Sequence, residues 1–172
     1  VSAGWKWLMG PVGTGIMYTS EDFRAKLSDV MVGAELMQQG IDYLNHSWHP
    51  HETAKRFEYS TSPISLAAAL QKCFDDLPEP GEMCEEIFRL QKLIINLLDP
   101  ERFTPVLFPE QHRSCILSVI CRKVDPQKIE KKLSKKGIVC SERSGCLRIA
   151  PHFHNTDDEI SKALYSLDQI RN

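Results

Sequence analysis

The sequence predicts an α/β chain in which a small mixed or antiparallel sheet is covered by helices, an α+β small domain. Three observations predict it. Short apolar runs bounded by turn residues recur between residues 102 and 150. Two amphipathic patterns of helical period come before them, between 65 and 98. Two further helical patterns, each with start and stop signals, are interleaved with the runs or follow them. Residues 66–172 make up the predicted small domain, able to fold alone. Residues 1–65 read as a separate piece with less patterning.

The elements follow in order. A glycine-rich turn, Gly10-Pro11-Val12-Gly13-Thr14-Gly15, leads into Ile16-Met17-Tyr18, which fits a short buried strand. Ser20 precedes EDFRAKL and reads as an N-cap, with Glu21 and Asp22 in the first turn. Residues 34 to 65 are weakly periodic and carry several breakers, so they read as mostly irregular chain. SLAAALQKCFDDL from Ser65 has an apolar helical face and ends at Pro78, Pro80 and Gly81. Met83, Ile87, Leu90, Leu93, Ile94 and Leu97 mark a second long helix, stopped by Asp99-Pro100. RFTPVLFP and SCILSVICRK read as strands. DPQKIEKKLSKKG reads as a helix with Asp125 as N-cap, Pro126 at N1 and Gly137 past its end. GIVCSE and GCLRIAP are strands joined at Ser144-Gly145, and NTDDEISKALYSLDQIR is a closing helix capped by Asn155 or Thr156.

Composition narrows the function classes. A net charge of -2, from 21 basic and 23 acidic residues, offers no field to steer nucleic acid or an anionic membrane. No apolar run approaches the roughly 20 residues needed to span a bilayer. The six cysteines include no CxxC pair, so they read as buried or inert thiols in a reducing, cytoplasmic setting rather than as a zinc site. His46, His49 and His51 lack the i, i+4 spacing of a helical metal pair, and no metal is expected. The chain opens without an initiator methionine or a signal-peptide pattern and reads as an excised or processed piece.

Three motifs carry a resemblance. SAGWKWLMGPVGTGIMY at the start is similar to S/A-x-H-K-W-L-x-G-P-x-G-x-G-x-L/M-Y, the cofactor-lysine segment of the class V aminotransferases. RFEYSTSP at 56 to 63 resembles their R-F-E-x-G-T-x-N. CLRIAPHFHNTDDEI at 146 to 160 resembles their L-R-I-S-x-H-x-Y-N-T-x-E-D-I. The motifs occur in the family's order and approximate spacing. The resemblance implies the C-terminal portion of a pyridoxal-phosphate enzyme of fold type I, about half the length of the whole. On that reading 1–65 is a remnant of the large cofactor-binding domain and 66–172 the small domain.

The resemblance also implies roles. Lys6 is the Schiff-base lysine, whose neutral amine couples to the cofactor aldehyde and then moves the substrate's α-proton. Trp5 stands where the family has histidine and would support the cofactor environment or pack on a neighbouring strand. Thr61 would help to hold the cofactor phosphate, usually that of a neighbouring subunit. Arg148 would grip the substrate α-carboxylate through its planar guanidinium; a structural glutamate is the alternative partner. Arg143 would add a second positive charge or be merely exposed. His152 and His154 read as helix-entry packing. Ser60, Pro63 and His154 depart from the family pattern.

The implied substrate is an amino acid, with cysteine desulfuration, other carbon–sulfur lysis, epimerisation, transamination and kynurenine cleavage as the family's reactions. Cys146 lies only two residues from Arg148, so the longer desulfurase loop is missing and an epimerase-like or lyase-like branch fits better. The alternative is a non-catalytic remnant, or one subunit of a split enzyme serving as an assembly module. Either way the chain is expected to be inactive alone, and to self-associate as a homodimer or to pair with the missing N-terminal half through residues 1 to 60.

Overall fold

The computed structural model describes residues 1–171. Two compact units are present, Val1–Leu77 and the chain from Pro78 onward.

In the first unit, β1 (Ser2–Ala3) pairs antiparallel with β2 (Gly15–Ile16), with Ser2 opposite Ile16. The strand expected at Ile16-Met17-Tyr18 stops at Ile16, and Tyr18 is exposed. A two-stranded ribbon has one pairing and no covering layer, so it buries little. Helix α1 (Glu21–Ala25) begins as its cap signal predicts: Ser20 Oγ accepts from the Phe23 N–H at 3.2 Å. The irregular stretch contains two 3-10 turns, Ala34–Leu36 and Ala54–Phe57, and a single bridge between Met37 and Pro50. Arg56 ties it together. Its guanidinium pairs with Asp29 at 2.5 Å and donates to the carbonyls of Arg24 and Leu27 at 3.0 and 3.1 Å. Helix α2 (Ile64–Asp76) closes the unit and buries none of its residues.

The second unit has a core. Helix α3 (Pro80–Leu97) has Pro80 in its first turn, a position that needs no N–H donor, and buries Met83, Ile87, Leu90, Gln91 and Ile94. Strands β3 (Phe103–Val106), β4 (Leu117–Cys121), β5 (Ser141–Arg143) and β6 (Cys146–Ile149) form one sheet in the order β3-β4-β6-β5. Every pairing is antiparallel, so the sheet is antiparallel rather than mixed. Pro105 lies on an edge strand, where its missing N–H costs no ladder bond. Ser144 and Gly145, at φ 53° and 79°, make the two-residue turn of the β5–β6 hairpin, both in the left-handed region that such turns require.

Helix α4 (Pro126–Ser134) starts where Asp125 accepts from the Gln127 N–H at 2.9 Å, with Pro126 at N1 as expected. In α5 (Asp157–Asp168) the cap is Thr156, and a reciprocal bond runs from the Thr156 N–H to Glu159 at 2.9 Å. Leu117, Val119, Leu147 and Phe103 from the sheet meet Leu90, Ile94, Ile129, Leu133, Ile160, Leu164 and Leu167 from the helices. Period-2 alternation therefore leaves Thr104, Val106, Ser118, Ile120, Cys146 and Arg148 on the opposite sheet face.

Candidate active site

The sequence-predicted residues fall in both units. Lys6 lies in the turn between β1 and β2. The turn is held by the backbone of Gly4, which is buried: its N–H donates to the Thr14 carbonyl at 2.9 Å, and its carbonyl accepts from Gly10 at 2.8 Å. A Cβ on Gly4 would stand 2.3 Å from Thr14 Oγ1, a side chain already bonded to the Pro11 carbonyl at 2.7 Å. Only glycine permits that approach. The Lys6 carbonyl accepts from the Met9 N–H at 3.0 Å. These bonds fix the backbone on both sides of Lys6 and leave its side chain exposed. Its ammonium sits 4.9 Å from the centroid of the Trp5 ring, a cation–π contact. Trp5 and Lys6 are thus brought together.

Thr61 lies in the same unit, exposed, between the Ala54–Phe57 turn and α2. Among the described residues its hydroxyl makes no hydrogen bond, and nothing bonds it to Lys6 or Trp5. Arg56, the first residue of that motif, anchors the segment through its nearly buried pair with Asp29, a partner 27 residues away that no local pattern identifies.

Arg148 lies on β6 in the second unit. Leu147 is fully buried and Arg148 half-buried, as alternation along the strand predicts. The pairing register sets Ser118 of β4 on one side of Arg148 and Ser141 of β5 on the other. Neither serine was singled out from the sequence, because only cross-strand register identifies them. Among the described residues no carboxylate pairs with Arg148 and no acceptor takes its N–H groups. Arg102 shows the contrast: 7% exposed, it donates to the carbonyls of Asp168 and Ile170 at 3.0 and 2.5 Å and lies 3.5 Å from the Asp168 carboxylate. A half-buried guanidinium without an internal partner can take a carboxylate bidentately.

The neighbouring candidates are less engaged. Arg143 is exposed and donates to the Glu142 carbonyl at 2.8 Å. The rings of His152 and His154 stand 5.2 Å apart, and the His152 N–H donates to Asn155 Oδ1 at the entry to α5. Among the described residues no group of three metal-binding side chains is present. All six cysteines are free and half-buried rather than buried. Burial pushes the Cys140 thiol up to about 11 and also raises that of Cys121, so both stay protonated near neutrality.

Comparison with known proteins gives a consistent picture. The family model "Aminotransferase class-V" matches residues 1–166. A probable cysteine desulfurase of Methanothermobacter thermautotrophicus is 24% identical over 97% of this chain and 46% of its own length. Among solved structures, the cystine C-S lyase C-DES in complex with its product cysteine persulfide superposes with a TM-score of 0.80 at 22% identity, over 99% of this chain and 46% of the lyase. A mutant of that lyase with glycine covalently linked to its PLP cofactor gives 0.78 at 22% identity, over 97% and 44%. The apo cysteine desulfurase of Thermococcus onnurineus NA1 gives 0.76 at 19% identity, over 97% and 45%. The chain spans about half the length of these relatives. Its fold is that of the C-terminal portion of fold type I.

Proposed function

From its membership of the class V aminotransferase family, to which this chain belongs, we propose that it is the lysine-bearing and carboxylate-binding part of a pyridoxal-phosphate enzyme acting on an amino acid. The reaction proposed is carbon–sulfur bond chemistry of the cysteine desulfurase or lyase type, with epimerisation as the related outcome. The observation that carries this reading is Arg148: a half-buried arginine in the middle of a sheet, flanked by serines, with no carboxylate paired to it among the described residues. Leaving such a cation unpaired is costly unless a ligand completes it.

The residues present fit the cofactor. The Lys6 amine is exposed on a backbone fixed by the Gly4 bonds, so it can reach an aldehyde carbon. Thr61 offers an unengaged hydroxyl to a phosphate oxygen. When bound, pyridoxal phosphate supplies an electron sink for the bond broken at the substrate α-carbon. With the cofactor bound, Lys6 would be the base that takes and returns the substrate's α-proton. Arg148 orients the amino acid by its carboxylate, and Ser118 and Ser141 border that position. Trp5 sets its ring face 4.9 Å from the Lys6 ammonium and would border the cofactor there.

A second reading concerns assembly. Val12, Tyr18, Val30, Ile41, Leu44 and Trp48 are all exposed in the first unit, which buries only Gly4 and Leu36, so association would add the burial that this unit lacks. This favours a homodimer, or a complex with the other half of the fold, as the active form, with the chain inactive alone. The free cysteines favour a cytoplasmic setting, and no helix among the described residues is long and apolar enough to cross a membrane.

The test compares amino acids with their decarboxylated amines. Spectral titration of the cofactor-loaded protein with L-cysteine and with cysteamine should show Arg148→Ala weakening the amino acid at least ~10-fold, about 1.4 kcal/mol, while leaving the amine unchanged. Equal effects on both would remove Arg148 from the carboxylate role.

A further inference from the structure

We propose that the cavity between α3 and the segment joining β3 to β4 is a binding site for a small aromatic carboxylate that carries an N–H donor on its ring. The inference does not rest on the function proposed above.

Phe88, Gln91, Lys92 and Ile95 stand at i, i+3, i+4 and i+7 on α3, so they form one strip along the helix. That strip is one wall of a cavity of about 230 Å³. Val106, at the end of β3, lines the other side with Leu107, Phe108 and Ile116 of the joining segment. Leu107 and Phe108 are 66% and 60% exposed, apolar surface that the fold leaves uncovered. The volume lies below the roughly 300–1,000 Å³ of sites for drug-sized ligands, so it suits a single ring.

Three polar side chains set the chemistry. Gln91 lines the cavity although it is only 7% exposed. Its Nε2 donates to the Ser114 carbonyl at 2.9 Å, which fixes the amide. Its Oε1 accepts no hydrogen bond among the described residues and keeps some accessible surface. A nearly buried amide oxygen without a partner is unfavourable, and a donor on a ligand would satisfy it. Arg113 has its guanidinium carbon 3.9 Å from the centroid of the Phe88 ring, so a cation–π contact rather than a carboxylate holds it at the cavity wall. Among the described residues neither Arg113 nor Lys92 forms an ion pair, and no acidic residue lines the cavity. Two unpaired cations, no anion and apolar walls select a carboxylate on a flat ring. The Arg113 guanidinium takes the carboxylate and Lys92 adds charge. Phe108 and Ile116 cover the ring, and Gln91 Oε1 accepts its N–H.

The test titrates the native, isotope-labelled full chain with 3-aminobenzoate and follows its NMR shifts. Benzoate, which lacks the ring donor, and 3-aminobenzamide, which lacks the charge, are run beside it. Shifts should be confined to residues 88–95 and 106–117, the segments that line the cavity. The aminobenzoate should bind several-fold tighter than benzoate and at least ~10-fold tighter than the amide. Arg113→Gln, at an exposed position, should abolish the preference for acid over amide and leave the amide's affinity unchanged. Ile116→Trp, which fills the cavity, should abolish binding of all three in a chain that keeps its native circular dichroism. Equal affinity for acid and amide, or for aminobenzoate and benzoate, would overturn the proposal. So would a preference that survives Arg113→Gln, shifts spread beyond those segments, or no saturable shift.

Discussion

The two units differ in where their chemistry and their stability lie. Before Pro78, only Gly4 and Leu36 are buried, yet this unit carries Lys6, Trp5 and Thr61. From Pro78 onward, three helices and a four-stranded sheet share one apolar cluster, and Arg148 sits on the sheet face opposite that cluster. The first unit holds its shape by hydrogen bonds: Gly4 to Thr14 and Gly10, and Arg56 to Asp29, Arg24 and Leu27. Such bonds are each worth about 1 kcal/mol net, against the ordering entropy of a residue of similar size. A unit built this way depends on added burial, from a second chain or the rest of the fold.

Amide hydrogen exchange gives the largest expected contrast. Core amides of β4, β6 and α3 should be protected by at least ~1,000-fold more than those of residues 1–63 in the isolated chain. Comparable protection in both units would break the distinction. Core truncation comes next. Leu147→Ala, at a fully buried strand position, should cost about 2–5 kcal/mol in denaturant unfolding, whereas Leu44→Ala, at an exposed one, should stay within about 0.5.

The two arginines of the second unit sharpen the comparison further. Arg102→Ala removes donors from the buried carbonyl of Ile170 and the part-buried carbonyl of Asp168 and should cost about 1–3 kcal/mol. Arg148→Ala removes no hydrogen bond or ion pair among the described residues and should be near neutral for stability. A large loss at Arg148 would make it structural.

The smallest effect concerns acid. Glu159 is held below the usual carboxylate range, chiefly by the Thr156 N–H, and Asp157 by its bonds from Arg89. Both pKa values are lowered in the folded state. Their contribution is therefore present above the unfolded values, roughly 3.9 to 4.3, and is lost as pH falls through the lower folded values. Melting curves from pH 6 to 3 should show this loss shrinking in Glu159→Gln. Thr156→Ala should cost about 1 kcal/mol at pH 7.

Much of the second unit was legible in the sequence because its signals are local. Asp125-Pro126, the cap at Asn155 or Thr156, and Ser144-Gly145 each act within a turn of chain; the structure places the first and last as read and gives the cap to Thr156, with Glu159 closing the box. The antiparallel order of the sheet, and with it the serines beside Arg148, depends on pairing between distant strands that no local pattern encodes. The same holds for Arg56 and Asp29, 27 residues apart. Ile16-Met17-Tyr18 misled for the opposite reason: its apolar character implies a covering layer, and the unit supplies none, so the strand ends at Ile16. Lys6 and Arg148 are proposed from resemblance; structure adds the Gly4 bracing and, among the described residues, no carboxylate paired with Arg148.

The central claim is that Lys6 is the cofactor lysine. The direct measurement is to mix the chain with pyridoxal phosphate, reduce with borohydride, and map the modified peptides by mass spectrometry beside Lys6→Ala. The account predicts labelling concentrated on Lys6 and lost in the variant. Labelling scattered over the lysines, unchanged by Lys6→Ala, would contradict it.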